Sequence, residues 1–161
     1  MKKEDYRFSY EVYDSIADLN EQDALLLSEA RKTTASAYAP YSNFNVGAVA
    51  KLVNGEIVKG TNQENASYPV GICAERSLLS SAASLFPGIA IETMAISYDN
   101  TKGTSSKPIS PCGMCRQALV EYETRVKQAI RLILSGQDGA VIIIEKADSL
   151  LPFSFGGEDL K

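Results

Sequence analysis

Four side chains in this sequence combine into a site that can hold a metal and move a proton: Cys73, Glu75, Cys112 and Cys115. Taken alone, Cys112-Gly113-Met114-Cys115 has two readings, a redox dithiol or half of a metal site. Cys73 favours the metal, because two helix N-termini that follow sheet strands can bring three thiolates together. Three sulfurs with one open position describe a catalytic zinc site, whereas closed structural sites use four protein ligands. Water on such a metal loses a proton near neutral pH, and a nearby carboxylate must take that proton and pass it on. Glu75, two residues after Cys73, is placed for that work. The chain has no histidine, so the commonest general base is missing and a carboxylate, Lys, Tyr or Cys must serve.

Charge bookkeeping adds a requirement. Zn²⁺ with three thiolates carries a net negative charge, which weakens water activation and repels Glu75. Arg76 lies one helical turn from Cys73 and can donate charge-assisted hydrogen bonds to sulfur, while the two helix N-termini add partial positive charge. Arg116 is a second candidate. The order C-x-E … P-C-x-x-C is the all-cysteine form of a zinc-deaminase pattern in which the glutamate is not a ligand.

The elements around these residues follow from periodicity. Asn20 before Glu21-Gln22-Asp23 is an N-cap with an acidic first turn, opening a helix that stops before Pro40. Val46 to Val53 and Glu56 to Thr61 read as two strands joined by Asn54-Gly55, a type I′ hairpin signal. From Cys73 to Phe86 the apolar residues Ala74, Leu78, Leu79, Ala82 and Leu85 recur at helical spacing, and Pro87-Gly88 ends the run. A strand over Thr93 to Tyr98, a polar loop to Ser110, a helix from Cys112 to Lys127, and strands at Ile130 to Leu134 and Ala140 to Ile144 complete the chain. Ser135 to Gly139 is too short for a helical crossover, so the last two strands should be antiparallel. The expected fold is α/β, a three-layer α/β/α arrangement around a five-stranded mixed sheet. Residues 1–19 lack a clear period and are expected to form an arm, leaving 20–161 as a single domain.

Composition narrows the function. The 161 residues suffice for one domain with one sizeable core. A net charge of −4 and a pI of about 4.9 have the wrong sign for gripping a nucleic-acid polymer. No signal peptide and no apolar run long enough to span a membrane is visible, which makes the cytoplasm the expected location and a membrane partner unexpected. An odd cysteine count cannot close into a complete set of intramolecular disulfides.

From Tyr38 to Leu160 the sequence resembles the small homotetrameric cytidine deaminases. The resemblance rests on Tyr38-Ala39-Pro40-Tyr41-Ser42-Asn43-Phe44, Val46-Gly47-Ala48, Asn62-Gln63-Glu64-Asn65-Ala66-Ser67-Tyr68-Pro69, Gly71-Ile72-Cys73-Ala74-Glu75-Arg76, Pro111-Cys112-Gly113-Met114-Cys115-Arg116-Gln117 and Leu150-Leu151-Pro152-Phe153-Ser154-Phe155-Gly156. It implies a cytidine deaminase-like fold and zinc-dependent hydrolysis of free cytidine and deoxycytidine to uridine and deoxyuridine, a pyrimidine-salvage reaction. It also implies that Asn62 and Glu64 hydrogen-bond the ribose, and that Phe44 and Ala74 line the nucleoside pocket. Ala66, Tyr68 and Phe155 match positions that reach the site from neighbouring subunits of a homotetramer, with Phe155 stacking on the base. On residue chemistry alone, Asn62 and Glu64 are turn residues, Phe44 is core, and Phe153 and Phe155 belong to a tail docked on the core. Two other functions stay open at this point: a deaminase of another cytosine-bearing small molecule, and a non-catalytic zinc-stabilised binding module that has no need of Glu75.

Overall fold

In the computed structural model, which describes residues 1–161, the elements follow the apolar periodicity closely. Strand β1 is Glu11–Tyr13, helix α1 Glu21–Thr33, β2 Phe44–Leu52, β3 Ile57–Thr61, α2 Ala74–Leu85, β4 Ile91–Asn100, α3 Gly113–Val126, β5 Arg131–Ser135 and β6 Val141–Ile144. Asn20 caps α1 as expected: its side-chain oxygen accepts from the Asp23 amide at 3.0 Å. Helix α2 buries Ala74, Leu78, Leu79 and Ala82, one stripe at helical spacing, and ends before Gly88, whose φ of +78° is left-handed.

The sheet runs β1-β6-β5-β4-β2-β3. Only β4 and β5 are parallel; β5 and β6 are antiparallel as expected. The sheet has six strands rather than the expected five. The sixth is β1, from the segment expected to be a featureless arm, with Glu11, Val12 and Tyr13 opposite Ile143, Ile142 and Val141. Three residues with one apolar side chain per turn of the pleat carry too little pattern to be seen; β1 exists because β6 would otherwise be an open edge.

Alternation along the strands divides the core into two layers. On one face Ala48, Ala50, Leu52, Met94, Ile96, Leu132 and Leu134 pack against Ala74, Leu78, Leu79 and Ala82 of α2 and Leu119 and Tyr122 of α3. On the other, Val49, Ala95, Ile133 and Ile143 pack against Leu26, Leu27 and Ala30 of α1. Each wholly buried Leu or Ile contributes roughly 2 kcal/mol, and because both faces are covered the central strands read as continuous apolar runs. Helix α2 lies very close to β3: a Cβ on Gly60 would stand 2.5 Å from both the Ala74 carbonyl oxygen and the Leu78 amide nitrogen.

The β2–β3 hairpin forms with a different turn from the expected type I′. The Gly55 amide donates to the Leu52 carbonyl at 2.9 Å and the Leu52 amide to the Glu56 carbonyl at 2.8 Å. Gly55 has φ +89°, while Asn54 is not among the residues of positive φ. This is a three-residue loop in which a single left-handed glycine follows a simple turn, and Asn54 instead accepts from the Glu56 amide at 3.1 Å.

Candidate active site

Cys73 is the N-cap of α2, Cys112 the N-cap of α3, and Cys115 stands in the first turn of α3. Neither cap sulfur is spent on an amide of its own helix. All three Sγ atoms lie within 4.8 Å of one another, with Cys73 to Cys112 at 3.8 Å and Cys112 to Cys115 at 3.5 Å. Four ligands arranged tetrahedrally at about 2.3 Å from zinc stand about 3.8 Å apart, so the sulfur separations fit a zinc ion and exceed the disulfide length of about 2 Å. The chemistry of the donor set agrees. A hydrogen bond from Cys115 holds the Cys73 thiol down at about 6, against the opposing effects of burial and Glu75. The same contact to Cys73, with burial and the Glu75 charge, pushes Cys115 far up. Holding Cys73 and Cys115 as thiolates together therefore calls for a cation beside them.

Glu75, 5% exposed, is the buried carboxylate of the α2 first turn. Burial raises its pKa, opposed by hydrogen bonds from its own backbone amide and from Cys115. Arg76 makes no hydrogen bond to sulfur; its charge lowers the Cys73 pKa from a distance, as the least of several causes. Arg116 is committed elsewhere, donating to the Pro111 carbonyl at 2.8 Å, the Leu150 carbonyl at 3.0 Å and the Ser110 hydroxyl at 3.0 Å. The N-termini of α2 and α3, capped by Cys73 and Cys112, direct partial positive charge at the sulfurs as well.

The other candidates flank this centre. Gln63 and Ile72 exchange both backbone hydrogen bonds at 3.0 Å, and Glu64 donates its amide to Tyr38 at 2.8 Å, so the strip bearing Asn62 and Glu64 is tied to the residue just before Cys73. Asn62 brackets Phe44: its oxygen accepts from the Val46 amide at 2.7 Å and its nitrogen donates to the Phe44 carbonyl at 2.9 Å. Glu64 Oε2 accepts from the Tyr41 and Ser42 amides at 2.9 and 3.3 Å, and hydrogen bonding to Ser42 holds its pKa below the ordinary value despite partial burial. A cavity of about 420 Å³ is lined by Tyr41, Ser42, Glu64, Asn65, Tyr68 and Gly71. Ala66 is exposed, Ala74 is fully buried in the core, and Tyr68 and Phe155 are 76% and 58% exposed.

Two neighbours escaped sequence reasoning. Tyr98 stacks on Phe44 with ring centroids 4.6 Å apart and planes 13° apart; strand alternation with Met94 and Ile96 could have placed it on this face. Gln117 donates to the Phe155 carbonyl at 2.8 Å, a contact with no local signal.

Residues 20–130 match the family model described as the cytidine and deoxycytidylate deaminase zinc-binding region. The chain is 36% identical over 138 residues to a cytidine deaminase of Halalkalibacterium halodurans, covering 84% of this chain and 96% of that protein. It is 32% identical over 142 residues to a cytidine deaminase of Mycobacterium tuberculosis, covering 84% and 91%. The 1.6 Å crystal structure of cytidine deaminase from Burkholderia pseudomallei matches with a TM-score of 0.71 at 35% identity, over 85% of this chain and 100% of that one.

Proposed function

Because the chain belongs to the cytidine and deoxycytidylate deaminase family, we propose that it is a zinc-dependent hydrolase converting free cytidine and deoxycytidine to the uracil nucleosides and ammonia, as in pyrimidine salvage. The observation that carries this reading is a buried carboxylate, Glu75, in the same helical turn as Cys73 and within reach of a hydrogen bond from Cys115, beside three sulfurs spaced for a single metal ion. Cys73, Cys112 and Cys115 hold the zinc, which when bound polarises a water for attack on the ring carbon that carries the amine. Glu75 takes one proton from that water and delivers it to the adjacent ring nitrogen, then takes the second from the hydroxyl newly bonded to the ring carbon and delivers it to the amine, which leaves as ammonia while the ring carbon becomes a carbonyl. Its raised pKa suits a group that must be base and then acid in one cycle. The Arg76 charge lowers the repulsion among the thiolates.

Phe44, held by Asn62 and backed by Tyr98, forms a wall of the nucleoside pocket. Glu64, whose Oε2 is taken by the Tyr41 and Ser42 amides, offers its remaining acceptor capacity to a ribose hydroxyl, as the free valences of Asn62 allow it to do as well. Ala74, whose side chain is buried in the core, contributes backbone to the nucleoside pocket. Ala66, Tyr68 and Phe155 serve neighbouring subunits of a homotetramer with shared sites, a reading supported by the exposure of both aromatic rings. The catalytic domain is 20–161, in keeping with a family match that begins at residue 20, and 1–19 is an accessory arm. A cytoplasmic location, where thiols stay reduced, suits a three-cysteine metal site, and no helix is long and apolar enough to cross a membrane.

The test is ultraviolet-monitored conversion of cytidine by the zinc-loaded protein beside Glu75→Gln at equal zinc content. Turnover should collapse by at least about a thousandfold in the variant. Turnover that survives the substitution would remove Glu75 from the mechanism. A protein inert on cytidine and deoxycytidine acts on another cytosine-bearing molecule or only binds.

A further inference from the structure

Helix α3 carries a second device besides its sulfurs. In its last turn the Glu123 carboxylate accepts from the amides of Ala147 at 3.1 Å and Asp148 at 3.0 Å, and from Ile130 at 2.6 Å. In its first turns Arg116 donates to the Leu150 carbonyl at 3.0 Å and Gln117 to the Phe155 carbonyl at 2.8 Å. The segment 147–155 therefore runs along α3 from its end back to its start, held through main-chain atoms at Ala147, Asp148, Leu150 and Phe155. From the far side the Tyr6 hydroxyl donates to the Ser149 carbonyl at 3.0 Å. The last of these contacts stands two residues beyond Cys115.

We propose that Gln117 is a positioning residue, holding the tail so that the Phe155 ring is fixed relative to the sulfur-bearing turn of α3 and sets nucleoside affinity. The proposal rests on the reading of Phe155 as the ring that stacks on the base. Since Phe155 serves a neighbouring subunit, the turn that presents Cys115 to one site also places the aromatic wall of the next. Arg116 fastens the same segment to Ser110 and Pro111, at the approach to Cys112.

Gln117→Met keeps the length of the side chain and removes its donor. In full-length zinc-loaded protein, KM for cytidine should rise about five- to tenfold with kcat and zinc content unchanged, because one hydrogen bond is lost from positioning and none from chemistry. Added to Phe155→Ala, the same substitution should change KM by less than about twofold, since the ring to be positioned is gone. Amide hydrogen exchange across residues 152–157 should quicken by a comparable factor in Gln117→Met. Equal effects of Gln117→Met with and without Phe155 overturn the proposal, as does a Phe155→Ala variant with unchanged KM. Should the protein fail to turn over any cytosine nucleoside, the proposed function falls by itself, and exchange still decides the tail: unchanged exchange in Gln117→Met overturns the hold.

Discussion

Asp23 and Arg131 join α1 to β5 through two parallel hydrogen bonds, Nη1 to Oδ1 and Nη2 to Oδ2, both 2.8 Å. Burial alone would raise the Asp23 pKa, but the hydrogen bonds and charge of Arg131 outweigh it and hold the carboxyl below its ordinary value. A carboxyl with a lower pKa folded than unfolded adds stability above its unfolded pKa near 4, and that stability is lost as pH falls through the folded value. Asp23→Asn should cost about 1–3 kcal/mol at pH 7 and flatten the acid limb below about pH 4, read from urea unfolding across pH 3 to 7. An acid limb as steep as the wild type would mean that other carboxylates govern it. At this scale the metal site was legible because its chemistry resides in residue types at short spacing: C-x-E and C-x-x-C each lie within one helical turn. The ties of Asn62 to Phe44 and of Gln117 to Phe155 were not, because each acts on the main chain of a residue 18 or 38 positions away. Arg116, a candidate partner for sulfur, has its guanidinium taken by the Pro111 carbonyl and Ser110 hydroxyl nearby in the chain and by the Leu150 carbonyl that only the fold brings near.

Among the elements, α2 depends on the absence of a side chain at Gly60. Substitution by Ala forces its Cβ against the helix backbone of Ala74 and Leu78, atoms that cannot rotate away. Gly60→Ala should therefore cost about 2–3 kcal/mol, a fall in Tm of roughly 5–10 °C. Because Cys73 caps the displaced helix, zinc affinity should fall with it. Gly113→Ala is the control: it opens α3 beside Cys112 with no atom within 4 Å of the new methyl, and both melting and zinc titration should stay near wild type. A Gly60→Ala protein that melts and binds zinc normally would show that α2 has slack which the packing does not suggest. Helices α2 and α3 and the central strands were readable within one or two residues, since caps and periodicity are local, while α1 stops at Thr33, several residues short of the Pro40 expected to end it. The hairpin was readable and its turn was not: Asn-Gly marks the position, while the way two strands twist together decides which residue turns left-handed.

For the molecule as a whole, Tyr68, Val70, Met114, Phe153 and Phe155 are large apolar side chains left bare, and four of them lie in segments that the proposed site uses. A homotetramer that completes its sites between subunits should lose specific activity on dilution, in parallel with the fall in mass seen by light scattering, and regain it on concentration. Constant activity in a dissociated monomer would show that each chain carries a whole site. The strand order and the single parallel pair, β4 with β5, were beyond the sequence because they join residues over thirty positions apart, as Thr93 with Arg131; the sixth strand depends likewise on β6, far along the chain. The tail along α3 has one more implication. Every hydrogen bond from α3 to residues 147–155 grips an amide or a carbonyl, and the side chains that pack on the core are those of Ala147 and Leu150, so the grip does not read the side chain at 155. If Phe155 stacks on the base as proposed, natural variation or laboratory selection can exchange it, and with it the molecules admitted, while the docking of the segment and the metal chemistry are inherited unchanged.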